Sequence, residues 1–312
     1  MRVVFFGSPA FAVPTLQQVA AQHEVALVIS QPDRPAGRGR AVTAPAVKQI
    51  ALELGLPVAQ PAKMKDPGFA EALAALAPDV FVVVAYGRIL PPALLAIPRL
   101  GPYNVHASLL PKFRGAAPIQ WSIIRGEAET GVALMRMEEG LDTGPVLAVT
   151  KTPIADDDTA GSLAQRLSRL GAELLVATLP LIAAGAVTPV PQDHARATLA
   201  PMLEKDDGVL DFAQPARLVS AQARGVDPWP GASASLAGET IKLYLPRLTE
   251  GAGQPGEILG LGREGLRIAC GSGAVAFAEL QFPGRKRLPA AAVLAGHPMP
   301  RGTLVLGRPG KV

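Results

Sequence analysis

A single cysteine, Cys270, in a chain of 312 residues excludes an intrachain disulfide and a thiolate zinc cluster. It points to a reducing, cytoplasmic setting. Histidine is scarce as well, four in all, and His23, His194 and His297 are scattered with no ligand spacing, so no metal is expected. No apolar run approaches the ~20 residues of a membrane span, and only Val3 to Phe6 stand before Gly7, far short of the apolar region of a signal peptide. The expectation is neither export nor membrane insertion. The first turn, Gly7-Ser8-Pro9, lacks the G-x-G-x-x-G fingerprint, which disfavours a dinucleotide there. No serine or cysteine stands in a recognisable nucleophile elbow, which favours direct transfer between two bound substrates over a covalent enzyme intermediate. There is no internal repeat.

What is present suffices for a large core: 49% of residues are hydrophobic and the mean hydropathy is +0.26, which at this length ordinarily gives two domains. Apolar strands alternate with helices over the first part of the chain. Strands are expected at Arg2 to Phe6, Val25 to Ser30, Leu56 to Gln60, Val80 to Ala85, Tyr103 to His106, Thr130 to Met137 and Val146 to Thr152. The spacing places helices at Phe11 to Ala21, Ala46 to Leu54, Asp66 to Leu76, Ala117 to Arg125 and, with a break, Thr159 to Ala184. Such alternation implies an α/β fold, a doubly wound and mostly parallel sheet whose ligands sit at the carboxyl ends of the strands. Gln31 to Pro45 interrupts it with three prolines, two glycines, Arg34, Arg38 and Arg40, and reads as a long basic loop.

After a polar stretch the texture changes to short β segments with Gly and Pro punctuation, which suggests a smaller C-terminal β-barrel. The division expected is a catalytic domain over 1–188, a linker over 189–206 and the barrel over 207–312. The net charge of +4 and pI near 9.4 permit a polyanionic partner, and the excess falls mainly in the last third.

The candidate chemistry lies between Tyr86 and Gly115. Alternation along the Tyr103 to His106 strand puts Asn104 and His106 on one face, with Ser108 if the strand extends that far. An imidazole polarises a carbonyl or relays a proton near neutrality, and an amide N–H suits a developing oxyanion. Asp142, in a loop between Gly140 and Gly144, is the candidate acid. Its carboxylate would orient the imidazole, stabilise its cation, or take a proton itself.

Five stretches in one order add specificity: QPDRPAGRGR at Gln31 to Arg40, VVVAYGRILP at Val82 to Pro91, NVHASLLPKFRGAAPIQW at Asn104 to Trp121, ETGVALMRMEEGLDTGP at Glu129 to Pro145, and DPWPGA at Asp227 to Ala232. On these the chain resembles the formyltransferase family that uses 10-formyltetrahydrofolate. The resemblance implies a Rossmann-like catalytic domain followed by an OB-like barrel, with Asn104, His106 and Asp142 as the catalytic set and no metal. It implies a folate site formed by Arg88, Ile89 and Leu90 together with Ser108, Leu109, Leu110 and Pro111. The PAGRGR insertion is similar to that of relatives whose formyl acceptor is methionyl initiator tRNA, which makes Arg34, Arg38 and Arg40 candidate RNA contacts, and Lys205, where the family's linker-side lysine lies, is a further one. Other relatives formylate a sugar nucleotide or another small amine, and that acceptor stays open here. A monomer is expected. Arg114 is left between a site role and general surface charge.

Overall fold

The computed structural model describes residues 1–36 and 41–307, and the chain divides into two compact units. The first comprises Met1–Pro118, Thr130–Thr152 and Ala164–Pro201; the second comprises Ile119–Glu129, Pro153–Leu163 and the chain from Met202 onward. The strands up to residue 153 are β1 (Arg2–Gly7), β2 (Glu24–Ile29), β3 (Arg34–Ala36), β4 (Ala41–Thr43), β5 (Val58–Ala59), β6 (Val80–Val84), β7 (Gly101–His106), β8 (Glu129–Arg136) and β9 (Val146–Pro153).

Seven of these form one sheet in the order β5-β2-β1-β6-β7-β8-β9. The pairs β2/β5, β1/β2, β1/β6 and β6/β7 are parallel, whereas β7 meets β8 antiparallel. Near-continuous apolar runs such as VFVVV in β6 form strands covered on both faces. Alternation sorts their side chains: Val3, Phe5, Val80, Val82, Val84, Tyr103 and Val105 enter one core layer. Val4, Phe6, Phe81 and Val83 enter the other.

The helices follow their local signals. Asp66 caps Pro67–Ala75 by accepting a hydrogen bond from the Gly68 N–H at 3.0 Å, with Pro67 where its missing N–H costs nothing. Two expectations need correcting. The helix Ala160–Ala183 runs through Pro180 without the expected break. Leu175, Leu179 and Ile182, on both sides of the proline, are anchored in the sheet core, and this packing outweighs one missing backbone bond. The stretch 31–45 is not wholly irregular, because β3 and β4 pair antiparallel, Arg34 opposite Thr43 and Pro35 opposite Val42. A two-stranded ribbon tolerates Pro35 because both of its strands are edges.

In the second unit the helix Ala216–Gly225 precedes β10 (Ser233–Leu236), β11 (Glu239–Thr249), β12 (Ile258–Gly262), β13 (Gly265–Ala269), β14 (Ala274–Gln281), β15 (Leu288–Pro289) and β16 (Val305–Leu306). Six of them run β12-β13-β14-β11-β10-β16, and β15 pairs with β14. A bridge between Glu257 and Leu304, with Ile258 N–H donating to Thr303 O at 2.8 Å and Val305 N–H to Gly256 O at 2.8 Å, joins the two ends. The sheet therefore closes on itself as a barrel, which removes its free edges. The sequence did not signal the short alanine-rich helix Ala290–Gly296.

Cys270 reports on this barrel. It is 4% exposed, and burial pushes its thiol up to about 12, so only about one thiol in 10⁴ is ionised at pH 8. Iodoacetamide at pH 8 is expected to label Cys270 in the native chain at least ~100-fold more slowly than in the urea-unfolded chain. Comparable rates measured by mass spectrometry would place the residue outside the barrel core.

Candidate active site

His106 is the last residue of β7. Because Tyr103 and Val105 enter one core layer, Asn104 and His106 share the opposite face, as the period of two requires. The imidazole is 5% exposed. Its Nε2 lies 3.0 Å from Phe113 O, and its Nδ1 lies 3.7 Å from Asp142 Oδ2. A carbonyl only accepts, so Nε2 carries the hydrogen of that contact, and the Nδ1 edge faces the Asp142 carboxylate. Among the described residues the partly exposed Asn104 amide has no hydrogen-bond partner.

Asp142 is held from behind. Its Oδ2 accepts the Gly115 N–H at 2.8 Å, and its backbone takes φ +50°, a left-handed conformation unusual for a residue with a side chain. The loop around it has no slack: a Cβ on Gly144 would run into the Arg136 carbonyl, and one on Gly140 into the Thr143 side chain. A Cβ on Gly115, at φ +119°, would stand 2.8 Å from Ala200 O.

The two segments expected to meet folate follow β6 and β7. Arg88 lays its guanidinium along the neighbouring chain, donating from Nε to Gln31 Oε1 at 3.1 Å and from Nη1 to Pro61 O at 2.9 Å and Ala62 O at 3.1 Å. That fixes the backbone of 88–90 while Leu90 is buried and Ile89 is 81% exposed. Ser108 is fully buried and its Oγ donates to Lys112 O at 2.7 Å. Leu109 occupies the space that a side chain at Gly131 would need, 2.6 Å from the position of its Cβ. Leu110 and Pro111, joined by a cis peptide bond, are partly exposed. Held backbone carrying the exposed apolar side chain of Ile89 is what a flat heteroaromatic ring needs.

Of the candidate RNA contacts, Arg34 starts β3 and its Nη2 reaches Gln31 Oε1 at 3.3 Å. Arg38 and Arg40 lie outside the described residues. Lys205 is exposed and opens a 3-10 turn, Lys205–Gly208, of the second unit. The foot of the ribbon is a polar network in which Lys48 meets Asp33 at 2.8 Å and Gln60 donates to Asp33 Oδ1 at 2.7 Å. These bonds, Lys48 first, hold the Asp33 carboxyl below its ordinary range.

Several contributors were not visible in the sequence. Gln192 and Thr198 meet residues far away in the chain with no motif around them, and Gln31, although it opens the QPDRPAGRGR stretch, is not singled out by it. Arg114 is 7% exposed, so it is not surface charge. Among the described residues no group of three or more His, Cys, Asp or Glu is placed to hold a metal ion, and no helix is long and apolar enough to cross a membrane.

Residues 1–179 match the family profile described as "Formyl transferase", and residues 202–298 match "Formyl transferase, C-terminal domain". The chain is 49% identical over 306 residues to the methionyl-tRNA formyltransferase of Trichlorobacter lovleyi, covering 98% of this chain and 97% of that one. It is likewise 49% identical over 302 residues to that of Myxococcus xanthus, covering 97% of each. Among solved structures, the sugar 3N-formyl transferase WlaRD matches with a TM-score of 0.67 at 18% identity, over 92% of this chain and 99% of that one. HypX from Aquifex aeolicus in complex with tetrahydrofolic acid matches with a TM-score of 0.64 at 22% identity, over 94% of this chain and 47% of that one. The sheet order, the N-x-H strand end and the profile matches over both units agree, and the chain belongs to the formyl transferase family.

Proposed function

We propose that the chain transfers a formyl group from 10-formyltetrahydrofolate to the α-amino group of methionyl initiator tRNA, acting in the cytoplasm as a monomer. The observation that carries the reading is His106 facing Asp142 across 3.7 Å, at the end of the strand that also presents Asn104. That separation is too long for a committed hydrogen bond, so the Nδ1 edge has room to turn toward an incoming formyl oxygen. As the amine attacks the formyl carbon, the charge developing on that oxygen meets the Asn104 amide and the imidazolium edge of His106. Asp142 holds the cation in place and takes part in moving the amine proton toward the departing folate nitrogen. Donors already aimed at the developing charge need no reorganisation, and alignment of two bound reactants supplies much of the rest. The backbone of Arg88, Ile89 and Leu90 and the Ser108 to Pro111 turn would seat the folate. Arg34, Arg38, Arg40 and Lys205 would meet the RNA, the arginines through phosphate or base edges near the acceptor end. The basic excess of the C-terminal part offers the same RNA a second surface. The 49% identity to the methionyl-tRNA enzymes over nearly the whole chain supports this acceptor over a sugar nucleotide.

Two results would decide it. In single-turnover assays with 10-formyltetrahydrofolate and methionyl-tRNA, Asp142→Asn is expected to slow the chemical step by about 10² to 10⁴-fold and Asn104→Ala by about 10² to 10³-fold. Wild-type rates in either variant would remove that residue from the chemistry. Transfer by the wild type to a sugar-nucleotide amine but not to methionyl-tRNA would overturn the acceptor.

The double variant Arg38→Ala/Arg40→Ala is expected to weaken RNA binding while leaving the rate at saturating RNA within about two-fold. The slope of log affinity against log salt should become shallower by about 1 for each phosphate that the variant no longer neutralises. An unchanged slope with unchanged affinity would place the acceptor surface elsewhere.

A further inference from the structure

Gln192 sits in an irregular stretch expected from the sequence to be linker, and it is 8% exposed. Its Nε2 donates to Asp142 O at 2.8 Å and to Gly144 O at 2.6 Å. Its Oε1 accepts from Arg114, Nε at 3.2 Å and Nη2 at 2.7 Å. Only one orientation of this amide satisfies all four bonds, because guanidinium groups only donate and carbonyls only accept. Arg114 Nη2 also lies 3.1 Å from His194 Nδ1. No carboxylate stands within ion-pair distance of Arg114 among the described residues. A buried guanidinium without a carboxylate is costly, and here it is spent on orienting one glutamine.

The consequence falls on Asp142. A residue with a side chain at φ +50° persists only where its surroundings hold it, and Gln192 grips the carbonyl of that same residue. A second stitch comes from the same stretch: Thr198 Oγ1 accepts the Phe113 N–H at 2.9 Å, and Phe113 O is the partner of His106 Nε2. We propose that Gln192, oriented by Arg114, is a positioning residue for the transfer reaction, a latch that fixes the Asp142 loop opposite His106. The proposal rests on the formyl-transfer reading for its kinetics but not for its structural content.

Two variants dissect the latch. Gln192→Glu keeps an acceptor for Arg114, which holds it ionised, but has no hydrogens for the two loop carbonyls; Gln192→Leu removes both sides. Either is expected to slow the single-turnover rate at saturating substrates by about 10 to 100-fold. KM for folate and for methionyl-tRNA should stay within about three-fold, while amide hydrogen exchange in residues 138–145 quickens at least ~10-fold. In an Asp142→Ala background Gln192→Glu should cost less than about two-fold more, since a residue acting through Asp142 has nothing left to position. A full additional loss in that background overturns the proposal, as does unchanged exchange in residues 138–145 of Gln192→Glu. If Gln192→Leu does not fold, Gln192→Glu decides alone. If the wild type does not formylate methionyl-tRNA, the proposed acceptor falls, and the exchange rates of residues 138–145 still support or overturn the latch.

Discussion

A buried imidazole has two nitrogens to satisfy, and in this chain both are answered by groups that only accept, the Phe113 carbonyl and the Asp142 carboxylate. That constraint organises the first unit. It requires β7 to end at His106, which the parallel pairing of β6 with β7 fixes residue by residue from Val80 opposite Gly101 to Val83 opposite Asn104. It also requires two loops far apart in sequence to arrive with their oxygens in place. Removing the Phe113 carbonyl from Nε2 would leave a buried donor unmade, which costs more than the bond itself contributes.

Loops deliver oxygens accurately only where they cannot drift. Gly140, Gly144 and Gly115 stand where a Cβ would collide with a neighbouring side chain or carbonyl, so the backbone passes close to its surroundings and is confined by them. Segment 190–200 supplies part of what confines it. Arg114 N–H donates to Thr198 O at 2.8 Å, Ala200 N–H to Arg114 O at 2.7 Å, and Val190 exchanges both backbone bonds with Val146. A stretch whose regular structure is limited to the 3-10 turn His194–Arg196 and two isolated bridges thus does for the site what a strand does for the sheet, through backbone bonds made one at a time.

The sequence exposed what depends on local periodicity. Asn104 and His106 share a face because strand side chains alternate, and β1 and β6 read as apolar runs because both faces are covered. Asp142 drew notice as an acid between two glycines. What stayed hidden depends on bonds between distant residues: Gln192 lies 50 residues from Asp142 and Thr198 lies 85 from Phe113, and neither sits in a pattern. The continuity of the helix through Pro180 was hidden for the same reason, since the packing that overrides local propensity is tertiary. Arg114 could not be assigned from sequence at all, because its role follows from burial. The ribbon at β3 and β4 was obscured by prolines and arginines that usually mark irregular chain.

Gln31 extends the same logic to the binding of two substrates. Its backbone N–H donates to Ser8 Oγ at 3.0 Å, its Nε2 to Tyr86 O at 3.0 Å, and its carbonyl accepts from Gln60 Nε2 at 2.7 Å. One residue therefore ties together the chain just past β1, β5 and β6. Its Oε1 is shared by Arg88, ahead of the segment proposed for folate, and by Arg34, at the start of the basic ribbon. The Arg34 bond is exposed and contributes little energy, but it sets where the ribbon leaves the sheet. In a reaction that joins two bound molecules, a misplacement of about 1 Å in either costs rate steeply. Anchoring the segment proposed for folate and the ribbon proposed for RNA on one amide keeps their relative position from depending on two independent loops.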